Sequence, residues 1–333
     1  MNIKQAISKN SDFQNSPSGD GGNVVIVMDI GGTKIKAGLV KQDKILCTES
    51  IDAESANGLK EKLPLIESMV NNMLQQNSID KNEIKGVGIS MPGIVDSNQK
   101  KVLSIDNKFN DVVEMNLNEW VYNTWQTNLE IENDARCALI GEWQFGKGKG
   151  YDNVVLMTIG TGVGSSAVIE GKVLRGKHFQ AGCLGGHFTI NIHGVTCNCG
   201  NIGCVETEAS TWNIENIAKQ HTAYQSSILS RQNKIDFESI FRSANDGDLL
   251  AKELRNICVD VWSAAAVNLI HAYDPEVLVI GGGVMASAGY IIPYIQQKTD
   301  THAWTPWGKV KVEAAENINA AALLGASWLV YNN

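Results

Sequence analysis

Apolar residues along this chain gather in short β-branched runs that end in glycine, and in longer segments with helical spacing. The run Val24-Val25-Ile26-Val27-Met28 is continuous, as in a strand buried on both faces, and Ile35 to Val40 reads as its hairpin partner. Between them lies Asp29-Ile30-Gly31-Gly32-Thr33-Lys34. The design returns with Val154 to Ile159, then Gly160-Thr161-Gly162-Val163-Gly164, then a strand through Ile169, so that 129 positions separate Gly31 from Gly160. Spacing predicts helices over 58–76, 134–145, about Leu249 to Ala272 and 318–330, with strands over 84–90 and Val277 to Ile280. Residues 1–23, rich in Ser, Asn, Gly and Lys, read as a flexible arm.

A second echo pairs Asn133 to Gly141 with Asn317 to Gly325, both opening helices, with Asn, Ala, Leu and Gly coinciding. Two Ala-rich helices can agree by chance. Taken with the repeated hairpin, the echo points to two related α/β lobes around a cleft. The expected division is an N-terminal lobe over 24–132, a C-terminal lobe over 133–317, and a closing helix that packs back on the first. Asp134 is matched by Ile318, so only one lobe keeps an acid there.

Composition narrows the partners. No run approaches the roughly 18 apolar residues of a membrane span, and no charged start leads into an apolar signal core, which implies a cytoplasmic protein. A net charge of -8 disfavours non-specific nucleic-acid binding. Small molecules are the expected ligands.

The glycine turns suit phosphates. In Asp29-Ile30-Gly31-Gly32-Thr33, glycines expose backbone amides, the Thr33 hydroxyl can bind a phosphate oxygen, and Asp29 can hold hydrated Mg²⁺. Each turn alone is also an ordinary hairpin. Gly160 to Gly164 and the strand-to-helix turn Gly281-Gly282-Gly283 add two more such places, and together the three make a phosphate clamp. Neither hairpin has the GxxxxGK[ST] pattern or opens a helix, so P-loop and dinucleotide readings are poor. Asp134, between a strand-like segment and a helix, is either an N-cap or a base for a hydroxyl attacking a γ-phosphate.

Seven cysteines, three of them within Cys197 to Cys204, fit thiols and metal better than a disulfide framework. Cys197, Cys199 and Cys204 supply three thiolates for a closed, structural Zn²⁺ site. His187 is the best fourth ligand, with His193 and Cys183 as competitors. Glu206, two residues past the last thiol, would be held at a fixed place by the metal.

In this order the motifs resemble the ROK family of sugar kinases and repressors, within the actin-like and hexokinase-like ATPase superfold. The resemblance runs from about Val24 to the C-terminus. It rests on Asp29-Ile-Gly-Gly-Thr33, Pro92-Gly93-Ile94-Val95-Asp96, Glu132-Asn133-Asp134, Gly160 to Gly164, and Gly186-His187 with the cysteine cluster and Glu206. It implies Asp134 as catalytic base, and sugar contacts from Asn133, Asp134, Glu206, His187, Gly93 and Asn107. It implies nucleotide contacts from Asp29, Gly31, Gly32, Thr33, Lys34, Gly160, Thr161, Gly162, Gly164 and Gly281 to Gly283. Zinc would sit on His187, Cys197, Cys199 and Cys204.

The implied cofactors are ATP with Mg²⁺ and a structural Zn²⁺, and the implied assembly is a homodimer. One departure stands out. Family kinases usually carry Glu-x-Gly-His, whereas this chain reads Leu184-Gly185-Gly186-His187, and a leucine accepts no hydrogen bond from a sugar. Two functions follow: an ATP-dependent kinase acting on a hexose or hexose derivative, O6 by analogy, or a non-catalytic sugar sensor. DNA binding is not expected, because residues 1–23 lack helical periodicity.

Overall fold

The chain builds the same sheet twice. In the first, Val24–Ile30 (β1), Lys34–Lys41 (β2) and Lys44–Asp52 (β3) form an antiparallel meander. Helix α1 (Leu63–Gln76) then leads to Ile84–Met91 (β4), parallel to β1. A short hairpin, Ile94–Asp96 (β5) with Lys101–Ser104 (β6), and helix α2 (Leu117–Trp125) precede Leu129–Asn133 (β7), parallel to β4. The strand order is β3-β2-β1-β4-β7. In the computed structural model, the residues described are 23–106, 108–317 and 320–333. Most of the N-terminal arm, Asn107 and Ile318 therefore lie outside the described residues.

Helix α3 (Asp134–Phe145) leads into the second sheet. Val154–Ile159 (β8), Val163–Ile169 (β9) and Lys172–Val173 (β10) are its meander. Helices Val205–Glu208 (α4), Thr211–Gln220 (α5), Phe237–Asn245 (α6) and Leu249–Tyr273 (α7) intervene before Val277–Gly281 (β11), which runs parallel to β8. Helix α8 (Ala288–His302) precedes Lys311–Ala314 (β12), and Ala321–Asn332 (α9) closes the chain. The order β10-β9-β8-β11-β12 repeats the first sheet strand for strand.

The helix echo is physical as well. Helices α3 and α9 pack at matching glycines: a Cβ on Gly141 would overlap the Ala321 carbonyl, and one on Gly325 would overlap the Cys137 carbonyl. Side chains there would force the helices apart, so the two positions keep the backbones in contact. Around them Val25, Val27, Ile140, Leu323 and Ala326 bury a shared apolar layer. Separate cores fill the space under β1 and β4 and around Trp262, whose indole N–H donates to the Ala209 carbonyl at 2.8 Å.

Several expected boundaries shift. The helix predicted over 58–76 starts at Leu63, because Gly58 holds φ at 89° and Pro64 fits only the first turn. The closing helix predicted over 318–330 is described from Ala321 to Asn332. The predicted strand over 84–90 extends to Met91.

Candidate active site

The carboxyl ends of β1, β8 and β11 and the start of α3 converge on one cleft of about 260 Å³ between the sheets, lined in part by Asp29, Gly31, Asp134, Thr158, Gly281 and Gly282. Parallel strands end where following turns expose amides, which is where α/β sheets bind ligands. Five residues singled out from sequence thus meet there: Asp29, Gly31, Asp134, Gly281 and Gly282. Gly282 needs its glycine, since φ is 93° and a Cβ would overlap the Ile159 carbonyl oxygen.

Asn133, not Asp134, caps helix α3: its Oδ1 accepts the Arg136 amide at 3.2 Å. Its Nδ2 donates to the Gly93 carbonyl and to Asp134 Oδ1, both at 2.9 Å, which fixes the acid's orientation. Asp134 keeps surface open to the cleft while protein surrounds it. Burial, then the Asp29 carboxylate, push its carboxyl up to about 6, and the Ala135 amide, Lys108 and Asn133 pull the other way. Burial also raises Asp29, against a 2.7 Å hydrogen bond from the Ser90 hydroxyl and the charge of Lys36. A carboxyl near 6 in a cleft is ionised at neutral pH and basic enough to take a proton.

Below Asn133 lies a buried ion network. Arg136 Nη1 donates to Glu132 Oε1 at 3.2 Å, and Arg175 Nε donates to Glu132 Oε2 at 2.6 Å. The Arg136 Nε and Nη2 groups reach the Leu174, Phe179 and Ala181 carbonyls. The same guanidinium therefore holds the start of α3 and the segment leading to Leu184. Glu142, also buried, accepts the Glu316 and Asn317 amides at 3.1 and 2.7 Å, which ties α3 to the approach of α9.

The cysteine cluster assembles as expected. Ligand atoms of His187, Cys197, Cys199 and Cys204 all lie within 4.8 Å of one another. Cys199 and Cys204 Sγ are 3.8 Å apart, and Cys197 Sγ is 3.6 Å from His187 Nδ1. A tetrahedron with Zn–S of about 2.3 Å and Zn–N of about 2.05 Å has edges of about 3.8 and about 3.6 Å. The donor set therefore fits a tetrahedral metal site. Burial and the two neighbouring thiols push Cys204 up to about 12, so its thiolate needs a cation beside it. Gly186 packs this region on the hairpin, since a Cβ there would overlap the Val163 carbonyl oxygen.

Other candidates stand elsewhere. Glu206 Oε2 accepts the Val163 amide at 2.9 Å and lies against Gly162. The Gly160 and Thr161 carbonyls accept the Thr211 and Trp212 amides, and Gly164 packs beside Thr158 Oγ1. Lys34 pairs with Asp52 on β3 at 2.6 Å, and the Thr33 carbonyl accepts the Ala53 amide. Gly32 carries the side chain of Lys108, and Gly283 opens the turn after β11. Sequence reasoning did not single out Ser90, Lys108, Arg136, Glu142 or Thr158. Only Glu132 and Arg136, four apart in one segment, carried a local signal.

The family model described as "ROK family" matches residues 25–333. The chain belongs to the ROK family. Its relatives include a glucokinase from Thermotoga maritima, 30% identical over 313 residues that cover 92% of this chain and 96% of that one. A xylose repressor from Bacillus subtilis is 25% identical over 67% of this chain and 54% of its own length. Among solved structures, a ROK glucokinase from Streptomyces griseus in complex with glucose and AMPPNP superposes with a TM-score of 0.76 at 28% identity, covering 92% of this chain and 98% of that one. Such ROK neighbours share the actin-like, two-lobed α/β fold found here. No helix among the described residues is long and apolar enough to cross a membrane.

Proposed function

We propose that this ROK protein is an ATP-dependent sugar kinase with Asp134 as its general base. The carrying observation is the meeting of Asp134, raised to about 6, with Asp29 and the glycine turns at Gly31 and at Gly281-Gly282 in one cleft. The acceptor hydroxyl of a hexose or hexose derivative, O6 by family analogy, attacks the γ-phosphorus of ATP. The new O–P bond forms as the bond to the β–γ bridging oxygen breaks, ADP leaves with that electron pair, and Asp134 takes the hydroxyl proton. Asn133 holds the carboxylate toward the acceptor, and Glu206 keeps Oε1 for a sugar hydroxyl, with His187 and Gly93 as further contacts and Asn107 as one that the family resemblance implies. The turns at Gly31 to Lys34, Gly160 to Gly164 and Gly281 to Gly283 receive the nucleotide. Mg²⁺ bound with the nucleotide would neutralise phosphate charge, with Asp29 the residue to hold it. His187, Cys197, Cys199 and Cys204 would hold a structural Zn²⁺ that braces Glu206.

This reading is supported by the glucokinase relatives and by the Streptomyces griseus enzyme described with glucose and AMPPNP. One observation favours the sensor reading: Leu184, 37% exposed, offers no hydrogen bond where family kinases usually carry Glu. ADP release across a panel of hexoses, hexosamines and ketoses, for the native chain and Asp134→Ala, separates the two. Sugar-dependent turnover that Asp134→Ala removes is expected; silence on every sugar leaves the sensor.

A further inference from the structure

Lys34 is the cation that the sequence puts in the first glycine turn, but its ammonium is drawn to Asp52. A different lysine lies over that turn. A Cβ built on Gly32 would meet Lys108 Cδ and Cε at 2.8 Å and Nζ at 3.2 Å, so the whole end of the Lys108 side chain rests on the Gly32 backbone. A side chain at Gly32 would displace it from there. Phe109 anchors the next position: its side chain is fully buried and its amide donates to the Ser55 carbonyl at 2.8 Å. No described carboxylate forms an ion pair with Lys108, although the same charge acts on Asp134 across the cleft. One half-buried ammonium thus lies on the turn that exposes amides to phosphate, and its charge is felt by the acid that would face the acceptor hydroxyl.

We propose that Lys108 is a catalytic residue that binds the phosphoryl group in transfer. This rests on the kinase reading. As the acceptor oxygen bonds to the γ-phosphorus and the bridging oxygen departs with its electron pair, charge spreads over the equatorial phosphoryl oxygens. An ammonium fixed over Gly32 meets that charge without exchanging a proton. Its loss is therefore felt in kcat more than in the sugar KM.

Lys108→Met and Lys108→Arg, assayed beside the native chain, test this. The Met variant is expected to lose about 10²-fold in kcat with the sugar KM within a few-fold of native, and Arg to recover part of that loss. Its acid limb in the pH–rate profile is expected to move to higher pH, because a cation that favours ionised Asp134 is gone. A lysine that only lends its charge to Asp134 would move that limb and leave the plateau kcat at the native value, and one that only packs on Gly32 would move neither. Calorimetric binding separates this proposal from the reading beneath it: Met should weaken ATP while adenosine binds as before. Native kcat and an unmoved limb in Lys108→Met overturn the role of Lys108 and leave the kinase intact. If the native chain turns over no sugar, an unchanged ATP affinity in the Met variant overturns it as well, and failure of the native chain to bind ATP overturns both.

Discussion

Glu206 Oε2 accepts the Val163 amide at 2.9 Å, joining the helix that starts just after Cys204 to the hairpin that leaves β8. The thiol cluster and the glycine turn are therefore one mechanical unit. Cys204 is the residue before α4, and Asn201 donates both to the His187 carbonyl and to Thr189, so the cysteine loop folds back on the segment that carries His187.

Chelation should act on that unit. About one zinc per chain is expected by elemental analysis, falling in Cys199→Ser. Metal removal should loosen 187–206, seen as faster amide exchange there, and raise the sugar KM while the β1 and β4 core stays protected. Native zinc content in Cys199→Ser would contradict the ligand assignment.

Asp134 sets a pH signature. Its carboxyl is protonated below about 6, and a protonated acid cannot take the hydroxyl proton. The rate should therefore fall as pH drops through 6, by about tenfold per unit further down. The sign on stability is opposite. The folded chain binds this proton more tightly than the unfolded one, so between the usual carboxylate range and about 6 this group makes stability decrease as pH rises. Asp134→Asn should thus lose about 10²–10⁴-fold in rate and melt higher than native above pH 6. A variant melting lower than native would overturn the environment assigned to this acid.

Arg136 and Glu132 should couple strongly. Both side chains are fully buried, and Arg136→Met strips charge from Glu132 and donors from three carbonyls at once. A loss of about 3–5 kcal/mol in urea unfolding is expected. Glu132→Gln in the Arg136→Met background should cost clearly less than in the native chain. Additive losses would show that the two act independently.

Much of this was readable locally. The β-branched runs, the two glycine hairpins and the three thiols lie within short segments, where strand burial, backbone freedom and ligand spacing leave a pattern in neighbouring residues. The repeat was visible too, at Gly31 with Gly160 and at Gly141 with Gly325. The helix near 58 started late because a positive φ at Gly58 and the proline at 64 outweighed an apolar spacing that continued through them.

The sequence by itself determined which residue types this chain offers: amide-exposing turns, an acid after β7, a Cys₃His donor set. Tertiary structure alone decided their company. Glu142 meets Asn317 from 175 positions away, Arg136 meets Ala181 from 45, and Lys108 takes the place over Gly32 that Lys34 leaves for Asp52. Such choices turn on desolvation and charge, which depend on what the fold brings near each group and leave no period along the chain.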